Sequence, residues 1–78
     1  MEKINILIAD DHLLFAKLMS NLLLSANNVN IAGIASDGEE TLNMIEEKSI
    51  DIVLLDIGMP KIDGLQVLNE LRRKYPNV

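Results

Sequence analysis

Apolar and polar positions alternate between two periods along this chain, and the switches between them define its elements. Ile4 to Ala9 (Ile-Asn-Ile-Leu-Ile-Ala) is a β-branched run too short for a buried helix, and it stops abruptly at Asp10-Asp11. It predicts a first strand. From Leu13 to Ser25 the apolar residues form two adjacent rows, Leu14, Leu18, Leu22 and Phe15, Met19, Leu23, at the i, i+4 spacing of one helix face. Asn27-Asn28 punctuates this helix, because Asn tolerates left-handed backbone and turns readily. A second strand is expected from about Val29 to Ala35. Ser36-Asp37-Gly38-Glu39 then has the pattern of a capping box, with Ser36 accepting from the amide three residues on and Glu39 reaching back. The helix it opens runs roughly from Gly38 to Lys48, turned inward by Leu42 and Ile45. After Asp51 comes Ile52-Val53-Leu54-Leu55, the most hydrophobic strand of the chain, which reads as buried on both faces and again ends in an acid, Asp56. Gly58-Met59-Pro60 marks a loop. Asp63-Gly64 opens a third helix, with Leu65, Leu68 and Leu71 inward, and Tyr75-Pro76 stops it.

The resulting order is βαβαβα. Strands that alternate with single helices pack as a parallel sheet with right-handed crossovers and helices over its faces. In such open sheets the functional crevice lies beyond the carboxyl ends of the strands, beside the point where strand order reverses. Asp10, Asp11 and Asp56 all occupy such ends.

Composition narrows the picture. With 78 residues the chain makes one domain at most, and it buries a smaller share of its surface than a larger domain would. Hydrophobic residues make up 49% of it and charged residues 24%, which is enough apolar material to fold and an ordinary solvated surface. Phe15 and Tyr75 are the only aromatics, so the core must be aliphatic. The formal charge of −5 argues against direct nucleic-acid binding by this chain. Its one basic cluster, Arg72-Arg73-Lys74, reads as a set of partners for the dipole at a helix C-terminus. There is no cysteine, hence no disulfide framework, which fits a reducing compartment. No apolar run approaches a membrane span, and Met-Glu-Lys leads straight into the first strand without the pattern of a signal peptide. A cytoplasmic location is expected.

If the first and third strands are neighbours, three carboxylates converge within a few ångströms. Like charges that close raise one another's pKa unless a cation neutralises them. A hard divalent ion answers this: Mg²⁺ takes one or two carboxylates, keeps several waters and leaves places for phosphate oxygens. Asp56 could then act as a nucleophile toward phosphorus and form an acyl phosphate. Either member of the Asp10-Asp11 pair alone reads equally well as a cap of the first helix. The pair and Asp56 together, each closing an apolar strand, favour the metal site. His12 reads as a helix N-terminal residue.

The segments Ile-Leu-Ile-Ala-Asp10-Asp11-His12, Ala35-Ser36-Asp37-Gly38-Glu39-Glu40 and Leu54-Leu55-Asp56-Ile57-Gly58-Met59-Pro60-Lys61-Ile62-Asp63-Gly64-Leu65 closely resemble the response-regulator receiver family of two-component phosphorelay signalling. Within it, they look like the subclass whose members usually carry a C-terminal helix-turn-helix DNA-binding domain of the LuxR/NarL type. The resemblance implies a flavodoxin-like (CheY-like) doubly wound α/β fold, here three βα units in strand order 2-1-3. It implies Asp56 as phosphoacceptor, with Asp11 and Asp56 as direct carboxylate ligands of Mg²⁺. Asp10 would act through water, and Gly58 would supply a backbone carbonyl. The implied partner is a sensor histidine kinase.

A complete receiver continues with two more βα units, which bring a Ser or Thr and a Lys to the phosphoryl group. Residues 1–78 are therefore expected to be a partial receiver that acquires phosphate very slowly or not at all. Its third strand is expected to form an open edge that favours a homo-oligomer. Two other readings stand beside this one. A phosphatase of the haloacid-dehalogenase type also uses a strand-end Asp and Mg²⁺, but needs a second Asp two residues on, where this chain has Gly58. The third reading is an interaction or folding fragment without phosphotransfer of its own.

Overall fold

The two periods resolve into strands and helices in strict alternation. A computed structural model describes residues 3–56 and 64–78. Its elements are β1 (Ile4–Ala9), α1 (Leu13–Leu24), β2 (Val29–Ala35), α2 (Gly38–Glu47), β3 (Ile52–Leu55) and α3 (Gly64–Lys74). The strands form one sheet in the order β2-β1-β3, with both pairings parallel. The strand order and the α/β class are those expected. The loop at Gly58-Met59-Pro60 and the acid at Asp63 lie outside the described residues.

Among the described residues β1 alone has a strand on each side, and its Ile6, Leu7, Ile8 and Ala9 are all buried. Its alternating side chains feed two cores. Ile6 and Ile8 pack with Ala16 of α1, joined by Met19, Leu23, Val29, Ile31, Ile34 and Leu54. On the opposite face Leu7 and Ala9 pack with Ala35, Ile45 of α2, Ile50, and Val67 and Leu71 of α3. One helix therefore covers one face and two helices the other, the doubly wound arrangement in which all strand carboxyl ends point the same way.

β2 carries an irregularity that its sequence does not announce. Ile6 pairs with Ile31 but Leu7 pairs with Gly33, so Ala32 is an extra residue opposite β1. A bulge of this kind shifts the alternation of side chains by one. That shift is why Val29, Ile31 and Ile34, which do not keep a spacing of two, all join the core under α1. Lys48, just after α2, donates from Nζ to the Ala32 carbonyl at 2.8 Å.

Four local expectations need correction. The cap of α2 is Asp37 rather than Ser36: its Oδ1 accepts from the Glu40 amide at 2.8 Å, while Glu40 Oε1 accepts from the Ser36 amide at 3.0 Å. The forward half of the box stands one residue later than expected, and the returning carboxylate takes the Ser36 amide rather than that of the cap itself. In α1 the row Leu14, Leu18, Leu22 faces solvent, at 77%, 57% and 68% exposure. The helix rests instead on Ala16, whose small side chain lets the backbone approach the sheet; apolar residues surround most of this helix, so periodicity alone could not orient it. In α3, Val67 is fully buried and Leu65 is exposed, so the inward face starts two residues later than Leu65. Finally, β3 is not buried on both faces. Ile52 is exposed and Val53 to Leu55 are half-buried, because among the described residues β3 has a neighbouring strand on its β1 side only.

Candidate functional site

The carboxyl ends of β1 and β3 are tied together by the backbone. The Asp56 amide donates to the Ala9 carbonyl at 2.8 Å, and the Asp10 amide donates to the Ala35 carbonyl of β2 at 2.9 Å. Each acid is thus fixed by the last peptide groups of the neighbouring strand, one residue past the ladder. At the other end of the sheet, Asp51 Oδ2 accepts from the Asn5 amide at 2.7 Å and the Asp51 amide donates to the Asn5 carbonyl at 2.9 Å. That pair pins the register of β3 against β1, and with it the position of Asp56.

Asp10, Asp11 and Asp56 come together as expected, and His12 joins them. Each of the four offers a ligating atom, and these atoms lie within 4.8 Å of one another. Asp10 is the most enclosed, with its side chain 13% exposed; the side chains of Asp11 and Asp56 are about one-third exposed, at 34% and 30%. The donor set of three carboxylates and one imidazole fits a divalent cation. Gly58, expected to add a backbone carbonyl, lies outside the described residues.

His12 was expected only to begin α1, and it makes no side-chain cap hydrogen bond there. Its amide donates to Asp10 Oδ1 at 2.9 Å. Its Nδ1 stands 3.1 Å from Asp10 Oδ1, 3.1 Å from Asp11 Oδ1 and 3.7 Å from Asp56 Oδ2. The hydrogen bond to Asp10, then the charges of Asp11, Asp10 and Asp56, hold the imidazole pKa above its ordinary value. The sequence did carry one sign of this, a histidine directly after the acidic pair, but spacing cannot tell which way an exposed ring turns.

Beside the acids opens a crevice of about 630 Å³ between α1 and β3, walled by Phe15, Met19 and Leu54 and floored by Asp10 and Asp56. Among the described residues no helix is long and apolar enough to cross a membrane.

A parallel α/β sheet with acids gathered at the carboxyl ends of its strands belongs to the doubly wound class, whose ligand crevices open at those ends. The particular family follows from comparison: residues 6–78 match the response regulator receiver domain, and the chain belongs to that family. It is 34% identical over 76 residues to the transcriptional regulatory protein DegU of Brevibacillus brevis, an alignment covering 97% of this chain and 32% of that protein. Among solved structures it resembles the signal receiver domain of the response regulator NarL from Mycobacterium tuberculosis, with a TM-score of 0.88 and 37% identity over 94% of this chain and 59% of that one. It also resembles a chain of the CheX–CheY–BeF₃–Mg²⁺ complex from Borrelia burgdorferi, with a TM-score of 0.89 and 36% identity over 97% of this chain and 57% of that one. The chain thus spans about a third of the DegU relative and less than two-thirds of either solved receiver. It is a receiver domain segment of two-component signalling.

Proposed function

We propose that the chain supplies the phosphoacceptor of a signalling receiver, with Asp56 as the residue phosphorylated and Asp10, Asp11, Asp56 and the Gly58 carbonyl as the donors of a Mg²⁺ site. Residues 1–78 correspond to the first three βα units of the receiver. The single observation that carries the reading is the convergence of three strand-end carboxylates with ligating atoms within 4.8 Å. Bound Mg²⁺ would neutralise those charges and hold phosphoryl oxygens. Asp56, held by its amide on the Ala9 carbonyl, lines the crevice with its side chain 30% exposed. One carboxylate oxygen forms the new bond to phosphorus as the bond to the donor's leaving group breaks, giving an acyl phosphate. Asp10 and Asp11, acceptors only when ionised, would hold the cation, Asp11 directly and Asp10 through water. The donor in this reading is a histidine kinase, the setting is the cytoplasm, and the module is a signalling element rather than an enzyme. In a longer protein of the DegU kind its output would pass to a DNA-binding domain.

The test uses the 78-residue polypeptide with acetyl phosphate and Mg²⁺, followed by intact mass. One phosphoryl group should be gained per chain. The gain should vanish in Asp56→Asn. Saturating Mg²⁺ should also stabilise the fold, by about 2.7 kcal/mol at a hundredfold excess over the dissociation constant, and not in Asp11→Ala. Mg²⁺ stabilisation without any phosphate gain would favour the alternative, an interaction module that binds metal but takes no phosphate. Absence of both would remove the reading altogether.

A further inference from the structure

The cation site proposed above is built of oxygen donors, and the structure places a nitrogen among them. His12 Nδ1 is 3.1 Å from an oxygen of Asp10 and 3.1 Å from one of Asp11, with Asp56 at 3.7 Å. These are hydrogen-bond and ion-pair distances, and they are also short enough for the same atoms to meet around one small cation once the ring gives up its Nδ1 proton. Two donors at right angles around an ion with bonds of about 2.1 Å stand about 3.0 Å apart, and tetrahedral donors with bonds of about 2.0 Å stand about 3.3 Å apart. The ring is delivered to this place by the chain itself: His12 precedes the first turn of α1, and its amide is bound to the same Asp10 oxygen that its ring meets. At 74% exposure the side chain is free of the packing that would oppose a small adjustment toward a bound ion.

On the reading that Asp10, Asp11 and Asp56 hold a divalent cation, we propose that His12 is a further ligand of that cation, giving the site a selective hold on imidazole-binding dications, Zn²⁺ above all. Mg²⁺ prefers oxygen and gives up its waters reluctantly, so it gains little from an imidazole. Zn²⁺ binds neutral imidazole and carboxylate together in a small coordination shell. A carboxylate site already holds Zn²⁺ more tightly than Mg²⁺; the contribution of His12 is the part of that difference which disappears with the ring. The site then has two metal forms, one held by the acids alone and one held by the acids and His12.

The experiment titrates Zn²⁺ and, separately, Mg²⁺ into the wild-type chain and into His12→Ala and His12→Asn, by calorimetry and by nitrogen NMR of the imidazole. His12 is the chain's only histidine, so the imidazole signals have one source. Removing the ring should weaken Zn²⁺ by roughly tenfold or more, the scale on which even outer-shell partners act, while Mg²⁺ binding persists at full strength. Zn²⁺ should move the Nδ1 resonance, Mg²⁺ should not, and excess Mg²⁺ should return the resonance to its metal-free position by competition at the shared acids. An unmoved imidazole, or equal losses of Zn²⁺ and Mg²⁺ in both variants, overturns the proposal while leaving the Mg²⁺ site intact. A shift that survives Asp56→Asn and Asp10→Asn undiminished also overturns it, since the ring would then bind zinc without the acids. Failure of the wild-type chain to bind Mg²⁺ at all is the separate result that overturns the underlying reading.

Discussion

Asp37 and Thr41 show how single side chains set the head of α2. Asp37 accepts from the Glu40 amide, and Thr41, fully buried, donates from its hydroxyl to the Asp37 carbonyl at 2.8 Å. A hydroxyl removed from water needs such a partner, and here the partner is the helix's own first turn. Asp37→Ala should therefore lower stability by about 1 kcal/mol, read by urea denaturation, while Ser36→Ala should change it by much less. The reverse ranking would restore the cap to Ser36. The sequence locates the capping box only to within one residue, because Ser36 and Asp37 are both good caps and only the backbone decides which one is the last extended residue before the helix. The site was legible for a different reason. Asp10, Asp11 and Asp56 each end an apolar run, and a parallel sheet must gather such ends. His12 gave no comparable signal, since its importance depends on a ring orientation that no periodicity encodes.

At the scale of elements, the three strands were read with the bounds they have, because short β-branched runs closed by acids or turns have few alternatives. The orientation of the helices was harder. α1 is apolar on most of its circumference, and α3 buries Val67 rather than Leu65, so each rotates about its axis relative to the expected face. The bulge at Ala32 escaped notice altogether, since an extra residue in a strand is visible only against its partner. α3 also offers a test of charge. Glu70 accepts two bonds from Arg73, both at 2.9 Å, with Lys74 Nζ 3.4 Å away. The Arg73 hydrogen bond foremost holds the Glu70 pKa below its ordinary value against the opposing effect of desolvation, with the Arg73 charge and Lys74 adding to it. A carboxylate depressed in the folded state adds stability above its unfolded pKa and loses it as pH falls through the folded value. The last turn of α3 should accordingly weaken in acid. Carbon NMR should place the Glu70 midpoint below that of a model peptide, and Arg73→Ala should move it upward. A midpoint indifferent to Arg73 would mean that the pair is only a surface coincidence.

The molecule as a whole is unevenly finished. Two helices cover one face of the sheet and one helix the other, and β3 has an unpaired edge among the described residues. Within Ile52 to Leu55 there is neither Lys nor Pro, the residues that most often discourage edge pairing. We expect the 78-residue polypeptide to associate at micromolar concentration by pairing of β3 with β3, a two-fold arrangement that would leave the two Asp56 sites at opposite ends of the joined sheet. Ile52 is already 42% exposed, so Ile52→Lys should abolish association at little cost to folding. Light scattering decides between these outcomes, and a wild-type monomer with its β3 amides protected from exchange would refute the pairing. The leucines displayed by α1 carry a different consequence, one for the optical study of this chain. A row of bare aliphatic side chains beside an apolar crevice is a natural seat for fluorescent dyes that brighten away from water. Such brightening is usually taken as the mark of a loosened, half-folded state. Here it would come from the native helix, and it would fade, rather than grow, as the protein unfolds.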